Sequence, residues 1–345
     1  MPTSLNDLTD QQLDQWLADH HQPAFRRKQI REWNRKRLVT SFDDMANLPK
    51  TLREALAADL ACSSLTQVQK LNDDDRTVKW LFRLHDGHTI ETVLIRAPRR
   101  NTVCISTQVG CQVRCVFCAS GKKGLARNLT PAEIVDQVIA ASQEAGQLVS
   151  NVVVMGMGEP LHNLDSLVPA LETICSPDGL GLGARHITVS TSGIPRAIRQ
   201  LGALQRPWNL AISLHAVDDD KRAKLIPPKH RAPIADILDA AKAYREMTTR
   251  MVTLEYILIA NFNDSPDDAN ALADIARDLH AKVNLIPSNT DDPHYPPSSP
   301  QKADQFLAIL TKRNVQATLR LRKGKSIDAA CGMLRRRLEE QERQE

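Results

Sequence analysis

The sequence lacks the segments that would direct a chain into or across a membrane. It has no run of about 18 apolar residues, so the chain should not span a bilayer. Its first residues, MPTSLNDLTDQQLDQW, hold neither the basic nor the apolar stretch of a secretory signal. Low-complexity runs and strict repeats are also missing. We therefore expect a globular, monomeric, cytoplasmic protein that does not bind membranes.

A strong overall charge is missing too. The net charge is +4 over 345 residues, which does not by itself indicate a polyanionic partner. Residues 21–40 nevertheless carry seven lysines or arginines and one acid. On a helix, Arg27, Arg31 and Arg35 would form one basic stripe. Such a stripe is either a solvated helix face or a contact to a nucleic-acid backbone, and charge alone does not decide between them.

The cysteines are odd in number and unevenly placed. There are seven, and Cys111, Cys115 and Cys118 lie within eight residues, which favours a reducing compartment with metal-binding or catalytic thiols. A structural zinc site needs four ligands, and no histidine is close in sequence. Three thiolates can hold three irons of a 4Fe–4S cluster and leave the fourth iron open. The alternative is a chance group of buried thiols.

The apolar pattern changes along the chain. Helical spacing up to about residue 60 is followed by a hairpin signal at Asp86-Gly87. From residue 100, six candidate strands alternate with helices, namely NTVCIS, NVVVMG, HITVST, WNLAIS, TLEYILI and KVNLIP. This order predicts an α/β fold, a partial (β/α)6 barrel with functional loops at the carboxyl ends of its strands. VQATLRLRKG is a candidate seventh strand.

We divide the chain on this basis into three parts. Residues 1–96 are expected to form an accessory domain, helical and then a β-hairpin, and the family resemblance given below implies that this domain binds RNA. Residues 97–325 are expected to form the barrel core. Residues 326–345 are expected to form a C-terminal loop and a charged tail.

The CxxxCxxC motif before strand–helix repeats resembles the radical S-adenosylmethionine superfamily. GMGEP, STSG, SLHA and NLIPSN follow successive strands, and with FRRKQIREW, GLARNLTPAEI and SIDAACG they resemble the RlmN family, of which Cfr is a relative. The resemblance implies one 4Fe–4S cluster, two S-adenosylmethionine molecules per turnover and an electron donor such as flavodoxin. The implied reaction is methylation of carbon 2 in adenosine 2503 of 23S rRNA and adenosine 37 of tRNAs. Cfr-like methylation of carbon 8 and a non-enzymatic metal-binding RNA module are the alternatives.

The resemblance also assigns catalytic roles. It makes Cys331 the carrier of the methyl group and Cys104 the thiol that releases the RNA adduct through a transient disulfide with Cys331. Glu91 matches the proton acceptor; it falls on an apolar strand face, where a raised pKa would suit a base. Taken alone, Cys331 reads as a small core residue and Glu91 as an exposed strand residue. Cys104 would share its strand face with Thr102 and Ser106, a rather polar face for a core thiol.

The remaining assignments concern the cofactor. Glu159 matches the residue that binds the methionine amino group, whereas His215 alone would be read as a packing or hydrogen-bonding residue. The family often has Asn-Pro after NLIP, and the loop here departs from that pattern because Thr290 follows Asn289. The full set implied to bind S-adenosylmethionine is Gly158, Glu159, Ser190, Ser213, Leu214, His215 and Asn289.

Overall fold

The computed structural model describes residues 3–290, 292–320, 324 and 327. No helix in this part of the chain is both long enough and apolar enough to cross a membrane. Its helices are α1 (Asp10–Asp19), α2 (Phe25–Arg35), α3 (Lys50–Asp59), α4 (Pro131–Ala145), α5 (Leu164–Cys175), α6 (Pro195–Ala203), α7 (Asp219–Leu225), α8 (Ile234–Thr248), α9 (Pro266–Leu279) and α10 (Pro300–Lys312). Its strands are β1 (Thr3–Ser4), β2 (Leu60–Ala61), β3 (Thr66–Asn72), β4 (Val78–Arg83), β5 (Thr89–Ala97), β6 (Arg100–Cys104), β7 (Gln108–Gly110), β8 (Leu125–Asn128), β9 (Asn151–Val154), β10 (Ile187–Thr191), β11 (Asn209–Ser213), β12 (Thr253–Leu258), β13 (Lys282–Pro287) and β14 (Ala317–Leu319).

The first three helices enclose an apolar cluster of their own. Helix α1 begins at a capping box in which Thr9 and Gln12 each accept a hydrogen bond from the backbone of the other. Strands β1 and β2 pair in parallel and join the two ends of this unit. Burial of each large apolar side chain contributes roughly 1.5–3 kcal/mol. The cluster consists of Leu5, Leu13, Leu17, Ile30, Phe42, Met45, Leu48, Leu52, Leu56, Leu60 and Cys62.

The three arginines of the basic stripe on α2 contact other residues of this helical unit. Arg27 pairs with the carboxylates of Asp10 and Asp14 on α1 at 2.6 and 3.0 Å. Arg31 is buried and donates to two backbone carbonyls that precede α1, at 2.8 and 2.6 Å. Arg35 is half-buried beside the same segment. The stripe is therefore not a purely solvated helix face, because all three arginines have partners on α1 or in the segment before it. The nucleic-acid contact stays a prediction.

Ten strands form one sheet, in the order β14-β13-β12-β11-β10-β9-β6-β5-β4-β3. Seven of them, β6 and β9 to β14, run parallel and follow the order of the chain. The six predicted barrel strands are all present, and β14 is the seventh. Side-by-side βαβ units produce such an order. Because β14 and β3 are the two edges of the sheet, the barrel is open, and the predicted fold class is confirmed.

The predicted hairpin at Asp86-Gly87 extends this sheet. Strand β4 pairs antiparallel with β5, and β5 pairs antiparallel with β6. Gly87 has a φ of 84°, which the tight turn requires. Trp80 and Phe82 of the hairpin belong to the same apolar core as the barrel strands. The boundary at residue 96 stays a prediction, although this packing groups the hairpin with the barrel.

Helix α4 connects the helical unit to the barrel. It begins at the predicted capping box of Thr130 and Glu133. Further along, the buried Asp136 carboxylate accepts hydrogen bonds of 2.7 Å from the Asn6 amide and from the backbone N–H and hydroxyl of Ser64. Burial raises the pKa of Asp136 to about 6. The Asp136 carboxyl group thus contacts the segment before α1, at Asn6, and the segment after β2, at Ser64.

Candidate active site

A cavity opens at the carboxyl ends of the parallel strands. Its volume is about 910 Å³, including the part open to solvent. Loops that are distant in sequence meet here because the carboxyl ends of parallel strands share one edge. The lining consists of Cys111, Val113, Cys115, Phe117, Cys118, Val154, Met155, Gly156, Gly158, Glu159, Pro160, Ser190, Thr191, Ser192, Ser213, His215, Glu255, Ile257, Ile286 and Asn289.

The clustered cysteines lie on a loop closed by the two-stranded ribbon of β7 and β8. The N–H of Cys111 donates to the carbonyl of Gly124 at 3.0 Å. Gly110 has a φ of 81°, and a Cβ there would lie 2.0 Å from the Gly124 carbonyl oxygen, so only glycine fits. The closed loop presents Cys111, Cys115 and Cys118 to the cavity.

These three thiols suit an iron–sulfur cluster. Burial raises the pKa of Cys111 to about 12 and, with the neighbouring Cys118 and Cys111, holds the pKa of Cys115 well above its usual range. Metal cations among the sulfurs would keep them as thiolates. Within the described ranges, no three His, Cys, Asp or Glu side chains are grouped to hold a single ion. A cluster instead places each thiolate on a different iron, so the donor set fits a cluster better than a closed zinc site.

Glu159, in the GMGEP turn after β9, is held in place by backbone groups. Its carboxylate is 3% exposed and accepts from the N–H of Ser192 at 2.7 Å and of Leu161 at 3.1 Å. Gly158 has a φ of 111°, and a Cβ there would lie 2.7 Å from the Cβ of Gln108. Close packing against β7 therefore requires glycine before the carboxylate, and it aims Glu159 into the cavity.

A second carboxylate, Glu255 on β12, was not singled out from the sequence. It is buried and lines the same cavity as Ser190 and Ser213. The hydroxyl of Ser190 donates to it at 2.9 Å and that of Ser213 at 3.5 Å. The sequence does indicate this residue, because a glutamate inside the apolar strand TLEYILI needs a polar partner on the same face of the sheet. Three neighbouring strands thus contribute to one hydrogen-bonded group.

His215 is held as a neutral ring. Its Nδ1 accepts from the N–H of Ile257 at 3.2 Å, so the neutral tautomer carries its proton on Nε2. Burial, with a further effect from the Arg222 guanidinium, lowers the pKa of His215 to about 3. The ring meets Phe117 edge to face, with centroids 5.0 Å apart. The backbone is left-handed at His215, with a φ of 61°, a conformation that a buried residue keeps only under firm restraint.

Glu91 and Cys104 lie together on the inner face of the sheet, away from the cavity lining given above. Val93 pairs with Cys104 across β5 and β6, which makes Glu91 the diagonal neighbour of Cys104 on one face. Glu91 is buried, and its carboxylate pairs with Lys79 Nζ at 2.9 Å. The Ser106 hydroxyl donates to the backbone carbonyl of Glu91 at 2.7 Å and further fixes this strand.

The other predicted site residues have different outcomes. Asn289 lines the cavity and is 9% exposed. Leu214 does not line it; its side chain is fully buried, and its N–H donates to the carbonyl of Glu255 at 3.0 Å. Cys331 lies outside the described residues.

Two family models match the chain. The model described as the radical SAM superfamily matches residues 105–272, which include the cysteine loop and the barrel strands β9 to β12. The model described as the ribosomal RNA large subunit methyltransferase N-terminal domain matches residues 3–62, the range of the helical unit.

Known proteins are similar over nearly the whole chain. The probable dual-specificity RNA methyltransferase RlmN of Symbiobacterium thermophilum is 44% identical, over 93% of this chain and 88% of the relative. The probable RlmN 3 of Opitutus terrae is 45% identical, over 94% and 92%. The crystal structure of a radical SAM methyltransferase from Sphaerobacter thermophilus is 44% identical with a TM-score of 0.92, over 97% of this chain and 99% of that one.

Proposed function

Since the chain belongs to the radical S-adenosylmethionine superfamily, and within it to the RlmN family of RNA methyltransferases, we propose that it methylates carbon 2 of adenine in RNA. The proposed targets are adenosine 2503 of 23S rRNA and adenosine 37 of tRNAs, since the relatives are named as dual-specificity enzymes. The observation that carries the proposal is that the three cysteines of one loop share a cavity with Glu159 and Glu255.

Membership of the superfamily implies a 4Fe–4S cluster, and Cys111, Cys115 and Cys118 are the residues that would hold it. When bound and reduced, the cluster supplies the electron that cleaves S-adenosylmethionine. The contribution of the chain is an apolar surround, because Val113 and Phe117 pack beside the cysteines. Low polarity around a cluster is one of the factors that set its reduction potential.

The rest of the cavity is proposed to bind S-adenosylmethionine. Glu159 would take the methionine ammonium, because each of its oxygens keeps a lone pair beyond its backbone bond. Ser190, Ser213 and Glu255 form a group of donors and acceptors that suits the ribose hydroxyls. The neutral His215 can donate from Nε2 toward the adenine. We propose two cofactor molecules per turnover, one as methyl donor and one as radical source.

We further propose that Cys331 carries the methyl group as a thioether. One hydrogen atom of that methyl group would pass to the 5′-deoxyadenosyl radical derived from S-adenosylmethionine, and the remaining carbon would join adenine carbon 2. Glu91 then removes the proton from carbon 2, and the unpaired electron of the adduct would return to the iron–sulfur cluster. The sulfur of Cys104 attacks the sulfur of Cys331, so that a disulfide forms and the carbon–sulfur bond breaks. The electron pair of that bond stays with the carbon, which takes up a proton and becomes the methyl group. A dithiol reductant must reduce the disulfide before the next turnover.

Two features of the inner face support this release step. Glu91 and Cys104 are diagonal neighbours on adjacent strands, so the base and the resolving thiol act on the same side of the sheet. Lys79 pairs with the Glu91 carboxylate at 2.9 Å and fixes its orientation on this face of the sheet. We propose Lys79 as the residue that positions this base.

Anaerobic reconstitution with iron, sulfide and a reductant tests the function. The enzyme should release 5′-deoxyadenosine from S-adenosylmethionine and yield 2-methyladenosine in RNA, measured by mass spectrometry of nucleosides. The product 8-methyladenosine would identify Cfr-like regiochemistry instead. Metal binding with no cofactor cleavage would indicate a non-enzymatic RNA module and refute the proposal. The flavodoxin-type donor, the monomeric state and the cytoplasmic location stay predictions.

A further inference from the structure

Arg222 on α7 is the most completely buried cation of the described chain, with no exposed surface. Its guanidinium donates to three backbone carbonyls in different loops, those of Ser192, of Leu214 at 3.2 Å and of Ala232 at 3.0 Å. Ser192 and Leu214 follow the neighbouring strands β10 and β11. Arg222 therefore holds together two of the loops that form the cavity.

This buried charge has no carboxylate partner in the part of the chain that the structure describes. Among the described residues, no Asp or Glu oxygen lies within 4.0 Å of the Arg222 guanidinium. Asp219 on the same helix has a different contact, since it accepts from the N–H of Ile234 at 3.1 Å. By comparison, the buried Arg31 has the carboxylate of Asp10 at 3.3 Å. Carbonyl dipoles offset only part of the cost of burying a cation, so a counter-charge is expected nearby.

The place for that counter-charge is the cysteine loop. The carbonyl of Leu225, at the end of α7, accepts from the N–H of Val116 at 3.1 Å, which joins the helix to the loop. Leu225 also packs in one apolar cluster with Cys111 and Cys115. Helix α7, which carries Arg222, is thus fixed against the loop of thiols that would carry the iron–sulfur cluster. Thiolate ligands give that cluster a net negative charge, and reduction adds one more.

We propose that Arg222 is the buried counter-charge of the iron–sulfur cluster and raises its reduction potential, an inference that rests on the proposed function because the cluster must be bound. A fixed cation stabilises the more negative, reduced cluster more than the oxidised one. Arg222 is a positioning residue in this scheme, since it is not among the residues that would bind the cluster or S-adenosylmethionine and acts on the cluster through its charge.

The test is an anaerobic redox titration of the reconstituted full-length protein, followed by electron paramagnetic resonance without S-adenosylmethionine. For Arg222→Gln, the ratio of reduced to oxidised cluster at a fixed potential should fall about tenfold, or about 59 mV for a one-electron couple. Arg222→Lys keeps the charge and should stay within about threefold of the wild type. Arg31→Gln is the matched control, because it also removes a buried arginine from backbone carbonyls but far from the cysteine loop, and it should leave the potential unchanged.

Every result of the redox titration either supports or overturns the inference about Arg222. An unchanged potential in Arg222→Gln, or an equal fall in Arg222→Lys, would show that the cluster does not depend on the charge and would overturn the inference. If Arg222→Gln cannot be loaded, iron and sulfide content serves as the second readout: loading of Arg222→Lys alone supports the counter-charge, and failure of both variants contradicts it. A wild-type protein that binds no cluster would overturn the proposed function as well.

Discussion

Replacing Lys79 with methionine removes one partner of a buried ion pair and leaves the other. The side chains of Lys79 and Glu91 are each 3% exposed, and Nζ lies 2.9 Å from the carboxylate. Loss of one partner from such a pair costs about 3–5 kcal/mol, because the remaining charge stays buried after this ion pair is lost. The double variant Lys79→Met/Glu91→Gln has neither charge. We therefore expect it to recover most of the stability that the single variant loses.

The assay is equilibrium unfolding in urea under anaerobic conditions, at equal cluster content, for both single variants and the double variant. Lys70→Met on the adjacent strand β3 is the matched control: its ion pair with Glu144 is 2.6 Å long but 31% and 27% exposed, so the expected loss is about 0–1 kcal/mol. The same Lys79→Met protein should accumulate the RNA adduct, because its base is no longer oriented. A double variant destabilised by the sum of the two single losses would refute the coupling of Lys79 with Glu91.

Three further results are expected. Cys104→Ala should trap a covalent RNA adduct on Cys331, visible on a denaturing gel; an adduct-free methylated product would exclude Cys104 as the resolving thiol. Glu255→Gln should weaken S-adenosylmethionine binding about 10- to 100-fold with cluster content unchanged, since a charged hydrogen-bond acceptor is lost; an unaltered Kd would count against that contact. The raised pKa of Asp136, about 6 against an ordinary 3.8, means that this carboxyl contributes most to the free energy of unfolding below about pH 4 and loses about 3 kcal/mol as the pH rises through 6. The stability difference between wild type and Asp136→Asn should follow that curve, and a pH-independent difference would contradict it.

The barrel and the position of its loops could be predicted from the sequence because local signals agree there. Each parallel strand is a short apolar run, each helix between them has the spacing of an outer helix, and α4 has an explicit cap and stop. The loops that follow the strands then have to meet at one edge of the sheet. The glycines at 110 and 158 mark the positions where that edge is most tightly packed.

Charge partners could not be predicted in the same way. Spacing shows that Arg27, Arg31 and Arg35 share a face, but the acids that neutralise two of them come from α1, and its approach is a matter of tertiary packing. Alternation likewise puts Glu255 on one side of its strand without telling which side faces inward. Only the register with β11, which sets Ser213 opposite Glu255, decides that.

The parallel part of the sheet ends at β6, where strand direction first reverses because β5 pairs antiparallel with β6. The residues proposed to bind the cofactor all lie on the parallel side of that reversal, whereas Glu91 and Cys104 lie on the two strands that form it. A slip of one residue in the hairpin would turn Glu91 to the outer face and leave the cofactor cavity intact. The strand register that the Asp86-Gly87 turn sets would then decide whether the enzyme releases its RNA or stays covalently attached to it.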